Sequence, residues 1–169
     1  NLYALIKFYK AANGAGVKPI CGCDILISDE ENPEKYCLLV LLVKNLKGYK
    51  NLTDLISRAH LEGQYRGNPC IKRSWLEGKT DGLIALSGGR TGDIGRAILN
   101  ADPALAGELL QGWMDVFPDS FYLELHRTSR PGEEEYIHGA VSLAEKFSCP
   151  VVATNDVRFL EEDEFEAHE

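Results

Sequence analysis

Residues 82–99, GLIALSGGRTGDIGRAIL, are the most informative stretch of this 169-residue sequence. The apolar run Gly82–Leu86 has the length and composition of a buried β-strand. A glycine-rich turn follows at Ser87–Asp93, and the helical spacing of apolar residues predicts a short helix over Ile94–Leu99. A buried strand that passes through a tight turn into a helix is the repeating unit of α/β proteins, so this stretch predicts that fold class.

The same alternation of strand and helix signals extends to both ends of the chain. Further strands are predicted at Val17–Ile27, Tyr36–Val43, Phe121–Leu125 and Pro150–Thr154. Further helices are predicted from Leu2 to the Gly14/Gly16 pair, from Gly48 through Ala59, from Asp102-Pro103 through Phe117, and from Glu133 through Phe147, while Gly63–Glu77 is predicted to be a loop. This alternation predicts one domain, residues 1–169, with a mainly parallel sheet that is either open and doubly wound or closed into a barrel.

Composition and charge argue against two classes of protein. Hydrophobic residues make up 44% of the sequence, which is enough apolar surface to offset chain entropy and speaks against a disordered tail. With 18 Lys and Arg against 26 Asp and Glu, the net charge is −8 and the pI is about 5.1. A surface that tracks nucleic-acid phosphates needs clustered basic residues, so we expect no direct nucleic-acid contact from this domain alone.

The sequence carries no membrane or secretory signal that we recognise. The longest apolar run, Cys37–Val43, is far shorter than the roughly 20 residues of a transmembrane helix, and Asn1–Lys10 lacks the pattern of a signal peptide. The odd number of cysteines, several of them inside apolar runs, predicts reduced thiols in a cytoplasmic protein. Because the sequence begins at Asn1 rather than Met and stops within a polar stretch at Glu169, we expect a piece of a longer chain.

Polar side chains are expected to gather where the predicted strands end, because the carboxyl ends of parallel strands carry the chemistry of α/β proteins. The residues at these ends are Cys23, Asp24, Lys44, Asn45, Ser87–Gly89, His126, Arg127, Asn155, Asp156 and Arg158. Some of them can bind metal, but histidine is scarce, whereas a multi-metal phosphoesterase needs several histidines together with carboxylates. Among the histidines only His126 is well placed, since His60 and His138 fall on predicted helices.

Three other patterns have both a functional and a purely structural interpretation. Cys21 and Cys23 share a strand face and resemble half of a soft-metal site, but core packing is favoured because no second pair completes it. The glycines of Gly88–Gly95 suit a phosphate, yet they match neither the Walker nor the dinucleotide pattern, so a tight strand-to-helix turn is favoured. The acidic run Glu133–Glu135 suits the first turn of a helix, and Glu161–Glu166 is predicted to be a solvated segment.

Several stretches occur in the order found in one protein family. They are Asn1–Tyr9, Gly16–Ile20 with Gly22–Asp24, Gly48–Leu52, Leu86–Gly89 and Val152–Phe159. Together they resemble the PHP (polymerase and histidinol phosphatase) domain, in particular the form at the amino terminus of the bacterial DNA polymerase III alpha subunit. The resemblance implies a distorted seven-stranded (β/α) barrel, here incomplete at its N-terminus because Asn1 would follow the family's second strand. The family's His-x-His and Asp-His motifs would then lie upstream of this sequence.

The resemblance also places several of the family's metal-binding positions in this chain. Active members hold up to three metal ions with His, Asp and Glu at the barrel mouth. Asp24 stands where the family has a Glu, and Asp156 is retained, whereas Leu38 replaces a His, Gly89 replaces a Cys or His, and Arg158 replaces the final His. An arginine cannot ligate a metal ion, and its charge would repel one placed beside Asp156. The metal site is therefore predicted to be degenerate, with no metal bound at Asp24 and Asp156.

The resemblance implies that the parent chain is a DNA-directed DNA polymerase, a nucleotidyltransferase that uses Mg²⁺ in a polymerase region absent from this sequence. This domain would have no catalytic residue and no cofactor of its own. It would stabilise the rest of the alpha chain and dock the proofreading exonuclease (epsilon) subunit. The first alternative is an active metal-dependent phosphoesterase, a 3′–5′ exonuclease or phosphatase, that uses upstream histidines with Asp24, Asp156 and His126. The second is an unrelated barrel enzyme that binds a small phosphorylated ligand at Gly88–Gly92.

Overall fold

The computed structural model describes residues 2–29, 34–157 and 164. Its helices are α1 (Leu5–Gly14), α2 (Leu46–Glu62), α3 (Asp93–Leu99), α4 (Pro103–Val116) and α5 (Glu133–Phe147). Its strands are β1 (Gly22–Ser28), β2 (Tyr36–Val43), β3 (Gln64–Tyr65), β4 (Asn68–Lys72), β5 (Leu83–Leu86), β6 (Phe121–Leu125) and β7 (Val151–Ala153). Short 3-10 turns follow β4 at Arg73–Leu76 and β5 at Gly89–Thr91. The α/β class predicted from the sequence is confirmed.

The strands form one seven-stranded sheet in the order β3-β4-β1-β2-β5-β6-β7. β1 is parallel to β4, and β5, β6 and β7 are parallel to one another. β2 is antiparallel to both β1 and β5, and β3 is antiparallel to β4. Five strands therefore share one direction, and the sheet stays open, with β3 and β7 at its edges within the described residues. This mostly parallel sheet agrees with an incomplete barrel of the kind that the resemblance implied.

Aromatic stacking attaches α4 to the sheet. Trp113 on α4 is 1% exposed, and its ring stacks on that of Phe121 in β6, with centroids 6.2 Å apart and planes 2° from parallel. The indole Nε1 donates a 2.8 Å hydrogen bond to Asp93 Oδ2, at the start of α3. Because a buried indole N–H needs an acceptor, this contact fixes α3 and α4 relative to each other and to β6.

The start of α2 is set by a cap and by a close backbone contact. The side chain of Asn45 accepts a 3.0 Å hydrogen bond from the Gly48 amide, so the helix begins at Leu46 rather than at the predicted Gly48. A Cβ on Gly48 would lie 1.8 Å from the Gly82 carbonyl oxygen, which explains why glycine is needed at this contact. No helix within the described part of the chain has the length and apolar character needed to cross a membrane.

Two of the predicted segments are wrong in extent. The strand predicted at Val17–Ile27 begins only at Gly22, since Pro19 has no backbone N–H for strand pairing. The predicted loop Gly63–Glu77 contains the β3–β4 hairpin, whose two-residue turn is Arg66-Gly67. Both turn residues have positive φ, 48° and 84°, which is the backbone geometry that matches the twist of paired strands.

The direction of β2 also differs from the prediction. Only residues 29–35 separate β1 from β2, and a parallel connection needs a dozen residues or more, so the two strands pair antiparallel. The strand β2 therefore runs in the opposite direction to β5, β6 and β7, and its carboxyl end lies beside the amino ends of those strands rather than beside their carboxyl ends. The prediction that Lys44 and Asn45 join the site residues is wrong, and Asn45 instead caps α2.

Candidate functional site

A polar cavity of about 370 Å³ lies at the carboxyl ends of β5, β6 and β7. Because these strands are parallel, their carboxyl ends meet at one edge and bring together residues that are distant in sequence. The charged residues that line the cavity are Asp24, Arg90, Glu124, His126, Arg130, Glu133 and Asp156. β1 and β2 reach it from their middles, since Asp24 pairs with Val40, and Val40 with Leu86 at the end of β5.

Like Glu133, Glu124 is almost completely buried at this cavity, at 4% exposure. Its backbone amide donates a 3.0 Å hydrogen bond to Ser87 Oγ, and its carbonyl accepts a 2.6 Å bond from Tyr136 Oη. Desolvation raises the pKa of Tyr136 to about 12, so the phenol keeps its proton and remains a donor. These contacts from β5 and α5 fix the backbone of β6 at Glu124.

The Glu124 carboxylate connects β6 to Thr154, the residue that follows β7. Its Oε1 accepts a 2.7 Å hydrogen bond from Thr154 Oγ1 and lies 3.4 Å from His126 Nε2. Its Oε2 is buried and has no hydrogen-bond partner among the described residues. A buried carboxylate needs donors or a counter-charge to offset its lost hydration. His126 and Thr154 supply these for one oxygen only.

His126 faces Glu124 from the end of β6, and its side chain is 23% exposed. The hydrogen bond to Glu124 raises the pKa of His126 above its ordinary value of 6.5, and desolvation opposes this shift. The negative charges of Glu124, Asp156 and Glu133 raise it further. The imidazole therefore stays protonated to a higher pH than a free histidine, and in its protonated form it makes an ion pair with Glu124.

The loop between β6 and α5 engages two further carboxylates of the cavity, Glu133 and Asp156. Glu133 accepts hydrogen bonds from the Thr128 amide at 2.7 Å, from Thr128 Oγ1 at 2.5 Å and from the Arg130 amide at 3.0 Å. Arg130 Nη1 lies 3.4 Å from Asp156 Oδ2. Arg90 donates to the carbonyl oxygen of Pro131 and so ties the loop to the turn after β5. Both oxygens of Glu133 are thus engaged in holding the loop in place.

Metal-ligating side chains do not gather at one point of this cavity among the described residues. Within residues 2–29, 34–157 and 164, no three His, Cys, Asp or Glu side chains come together closely enough to hold one ion. Asp156 is paired with Arg130, and Glu124 with His126, so both carboxylates already face a cation. A multi-metal hydrolytic site needs several carboxylates and histidines that converge on the ions.

The structure brings some of the predicted site residues together. Asp24 is exposed on β1 and Asp156 is half-buried beyond β7, and both line the cavity. Leu38 on β2 supplies an apolar wall. Gly89 packs against His126, because a Cβ built on Gly89 would lie 2.9 Å from His126 Nδ1. Arg158 lies outside the described residues. Whether Asp24 and Asp156 are remnants of a metal site stays a prediction.

The glycines after β5 are explained by close packing. Gly88 has φ of +72°, and a Cβ there would lie 2.4 Å from the Leu38 carbonyl oxygen. A Cβ on Gly92 would lie 1.9 Å from the Ser87 carbonyl oxygen, and one on Gly95 would lie 2.2 Å from the Gly89 carbonyl oxygen. This geometry agrees with the interpretation of Gly88–Gly95 as a tight strand-to-helix turn.

The remaining candidates from the sequence lie away from the cavity. Cys23 packs against the core and Cys21 is half-buried, so neither is as deeply buried as predicted. His60 and His138 are exposed on α2 and α5, as predicted. The acidic run Glu133–Glu135 does form the first turn of α5. The segment Glu161–Glu166 and His168 fall in the part that is described only at residue 164.

A larger cavity, of about 880 Å³, lies between the ends of β1 and β2 and helices α3 and α4. Its charged side chains hold the fold together. Arg96 donates to the Tyr36 carbonyl oxygen at 2.7 Å, and the guanidinium of Arg73 lies 4.2 Å from the ring centroid of Trp113. Asp93 accepts from the same indole. The cavity at β5–β7 is the better candidate, because it brings together Asp24, His126 and Asp156, which were predicted as site residues.

Sequence reasoning did not identify Glu124, Ser87, Thr154 or Tyr136 as parts of one network. One signal was present, because Glu124 is the single charged residue in the strand Phe121–Leu125. A charge in a short buried strand indicates a paired group or a site. The partners could not be found in the same way, since they come from three other elements.

Comparison with known proteins identifies relatives of this chain. A family model described as "PHP domain" matches residues 1–128. Over all 169 residues the chain is 52% identical to the DNA polymerase III subunit alpha of Pseudomonas aeruginosa, 48% to that of Escherichia coli K12 and 43% to that of Haemophilus influenzae. The chain spans only 14 to 15% of the length of these curated relatives.

Proposed function

The chain belongs to the PHP domain family, and we propose that it is the PHP domain of a DNA polymerase III alpha subunit with a structural and docking role. Residues 1–169 then form one domain of a cytoplasmic DNA-directed DNA polymerase that acts in DNA replication. The Mg²⁺ ions of the parent enzyme bind in its polymerase region. Identities of 43 to 52% along the entire chain support this parent.

The observation that carries the structural role is the pairing of opposite charges across the cavity. Glu124 faces His126, and Asp156 faces Arg130, so two of the carboxylates that line the cavity are paired with basic side chains of this chain. The family's ligand positions at Leu38 and Gly89 offer no donor side chain. Such a cavity holds β6, β7 and the following loop together, and it supplies no set of ligands for hydrolysis.

The partners we propose are the rest of the alpha chain and the proofreading exonuclease subunit. α1 supports the first of these, because it contains no buried residue and exposes Ile6, Phe8 and Tyr9 by 63%, 55% and 49%. Apolar helix faces of this kind are covered by other protein segments, and the relatives are several times longer than this chain. The net charge of −8 supports a domain that does not itself hold nucleic acid.

An active phosphoesterase is the second candidate. The observation that favours it is Glu124 Oε2, a buried carboxylate oxygen without a partner in the described part of the chain. Asp24 lines the same cavity. Upstream histidines would have to complete the site, and Arg130 would have to release Asp156.

The test uses the full-length chain that carries this sequence. We expect it to extend a DNA primer with Mg²⁺, to bind the proofreading subunit, and to leave p-nitrophenyl phosphate and 3′-terminal nucleotides intact with Mg²⁺, Mn²⁺ or Zn²⁺. Hydrolysis that disappears in the Asp24→Asn variant would contradict the structural role and establish the phosphoesterase. Hydrolysis that persists in this variant would be traced to a contaminant by its failure to co-elute with the chain.

A further inference from the structure

We propose that the imidazole of His126 is a built-in plug beside Gly89, which fills the space that any side chain at position 89 would need. Positions 89 and 126 then exclude each other, because the imidazole occupies the space beside Gly89 in the wall of a cavity that otherwise stays open. The proposal deepens the structural role and rests on it, because a family ligand position that is blocked by the chain's own His126 suits a domain that does not bind substrate there.

The first support is the distance between the two positions. A Cβ built on Gly89 would lie 2.9 Å from His126 Nδ1 and 3.2 Å from Cε1. The next heavy atom, the carbonyl oxygen of Glu124, is 3.9 Å away, which is an ordinary contact. The imidazole is therefore the specific obstacle to a side chain at Gly89. Protein interiors tolerate very little overlap of this kind.

The second support is the clamp that holds the ring in place. On the side away from Gly89, Nε2 lies 3.4 Å from Glu124 Oε1. Glu124 cannot follow a moving ring easily, because Ser87, Tyr136 and Thr154 bind its amide, its carbonyl and its Oε1. The ring thus lies between a fixed backbone at Gly89 and a fixed carboxylate at Glu124.

A new side chain at position 89 has a different effect on stability if His126 blocks the space than if the position merely lacks a ligand. If position 89 merely lacked a side chain, adding one would cost only the backbone strain of its φ of +57°. With a plug, the added side chain also collides with the imidazole, and shortening residue 126 relieves that collision. The two substitutions are therefore coupled, and a double-mutant cycle measures the coupling.

The experiment is hydrogen–deuterium exchange on peptides that cover β5 and β6 in the full-length chain. The variants are Gly89→Ala, His126→Ser and the two combined. Gly88→Ala, alone and combined with His126→Ser, is the matched control. Gly88 also has positive φ, +72°, but the obstacle to its Cβ is the Leu38 carbonyl oxygen at 2.4 Å, which does not involve His126. The backbone strain caused by alanine at position 88 or 89 is present both with and without His126→Ser, so it cancels in each double-mutant cycle.

We expect Gly89→Ala to accelerate exchange. When it is combined with His126→Ser, we expect this acceleration to be about five-fold smaller, in line with the coupling of contacting residues. The acceleration caused by Gly88→Ala is expected to be the same in both backgrounds. Equal acceleration by Gly89→Ala with and without His126, or equal rescue of Gly88→Ala, would overturn the plug. If His126→Ser does not fold, His126→Ala replaces it, since it also removes Nδ1 and Cε1 from the space beside Gly89.

The plug and the structural role fail in different ways. Absence of coupling in a chain without phosphoesterase activity overturns the plug and leaves the structural role intact. Phosphoesterase activity of the unaltered chain overturns the structural role, whatever the coupling.

Discussion

The hydroxyl of Thr154 donates a 2.7 Å hydrogen bond to Glu124 Oε1 and thereby joins the ends of β7 and β6. The same oxygen lies 3.4 Å from His126 Nε2. Two neighbouring strands thus converge on one buried carboxylate. Thr154 and His126 together offset the cost of burying it, so each is expected to stabilise this edge of the sheet.

Replacing Thr154 with Val tests the hydrogen bond, because the two side chains have nearly the same shape. Without the hydroxyl, Glu124 loses a donor inside the protein, and we expect a loss of about 1–3 kcal/mol in local stability, measured by hydrogen exchange across β6 and β7. Thr53→Val on α2 is the control, and we expect it to change stability by less than about 0.5 kcal/mol. Equal effects of the two substitutions would show that the Thr154 bond is unimportant.

The pairing of His126 with Glu124 makes the stability of this edge depend on pH. The pKa of His126 is raised in the folded state relative to 6.5, chiefly by the hydrogen bond to Glu124. The stabilisation that His126 provides is therefore complete below pH 6.5. It is lost as the pH rises through the higher pKa that His126 has in the folded chain. Urea unfolding monitored at several pH values is expected to show this loss in the unaltered chain and a flatter profile in His126→Gln. Identical profiles would refute the ion pair.

The close approach of α2 to β5 makes Gly48 intolerant of any side chain. A Cβ there would lie 1.8 Å from the Gly82 carbonyl oxygen, so Gly48→Ala has to separate the helix from the strand. We expect a destabilisation of about 3 kcal/mol, measured as a lower urea midpoint. Gly14→Ala at the end of α1 is the control, because nothing lies within 4 Å of its Cβ position. A Gly48→Ala variant as stable as Gly14→Ala would contradict the packing described here.

The five cysteines are expected to differ in reactivity. Burial raises the pKa of Cys37 to about 12, with a further contribution from Asp93, so its thiol stays protonated and shielded. Desolvation also raises the pKa of Cys70 and of Cys149. Cys21 and Cys23 are half-buried. Iodoacetamide labelling of the folded chain, followed by mass spectrometry, should modify Cys21 and Cys23 first. Early modification of Cys37 would be inconsistent with its burial.

The sequence correctly predicted those helices and strands whose own residues form a clear pattern. The apolar runs at Tyr36–Val43 and Phe121–Leu125 became β2 and β6 with the predicted bounds. The helix α4 begins at the predicted Asp102-Pro103 pair, where Asp102 caps it by accepting from the Leu105 amide at 3.0 Å. The β3–β4 hairpin was missed because its strands are short and its turn residue Arg66 is unusual at positive φ.

The candidate site was harder to predict, because its contacts join distant parts of the chain. Asp24, Asp156 and His126 were recognised as residues at strand ends, and all three line the cavity. The importance of Glu124 depends on Thr154, 30 residues away, and that contact forms only when β7 pairs with β6. The direction of β2 likewise follows from pairing, so the placement of Lys44 was wrong.

The most direct test of the structural role is the metal content of the intact chain. The full-length protein, purified without chelator and equilibrated with Zn²⁺, Mn²⁺ and Mg²⁺, would be measured by inductively coupled plasma mass spectrometry after removal of free ions. A variant that lacks residues 1–169 serves as the reference for ions held elsewhere. We predict that both chains retain the same amount of tightly bound metal. One or more additional ions in the intact chain, lost on Asp24→Asn or Asp156→Asn, would contradict a cavity held together by its own charges.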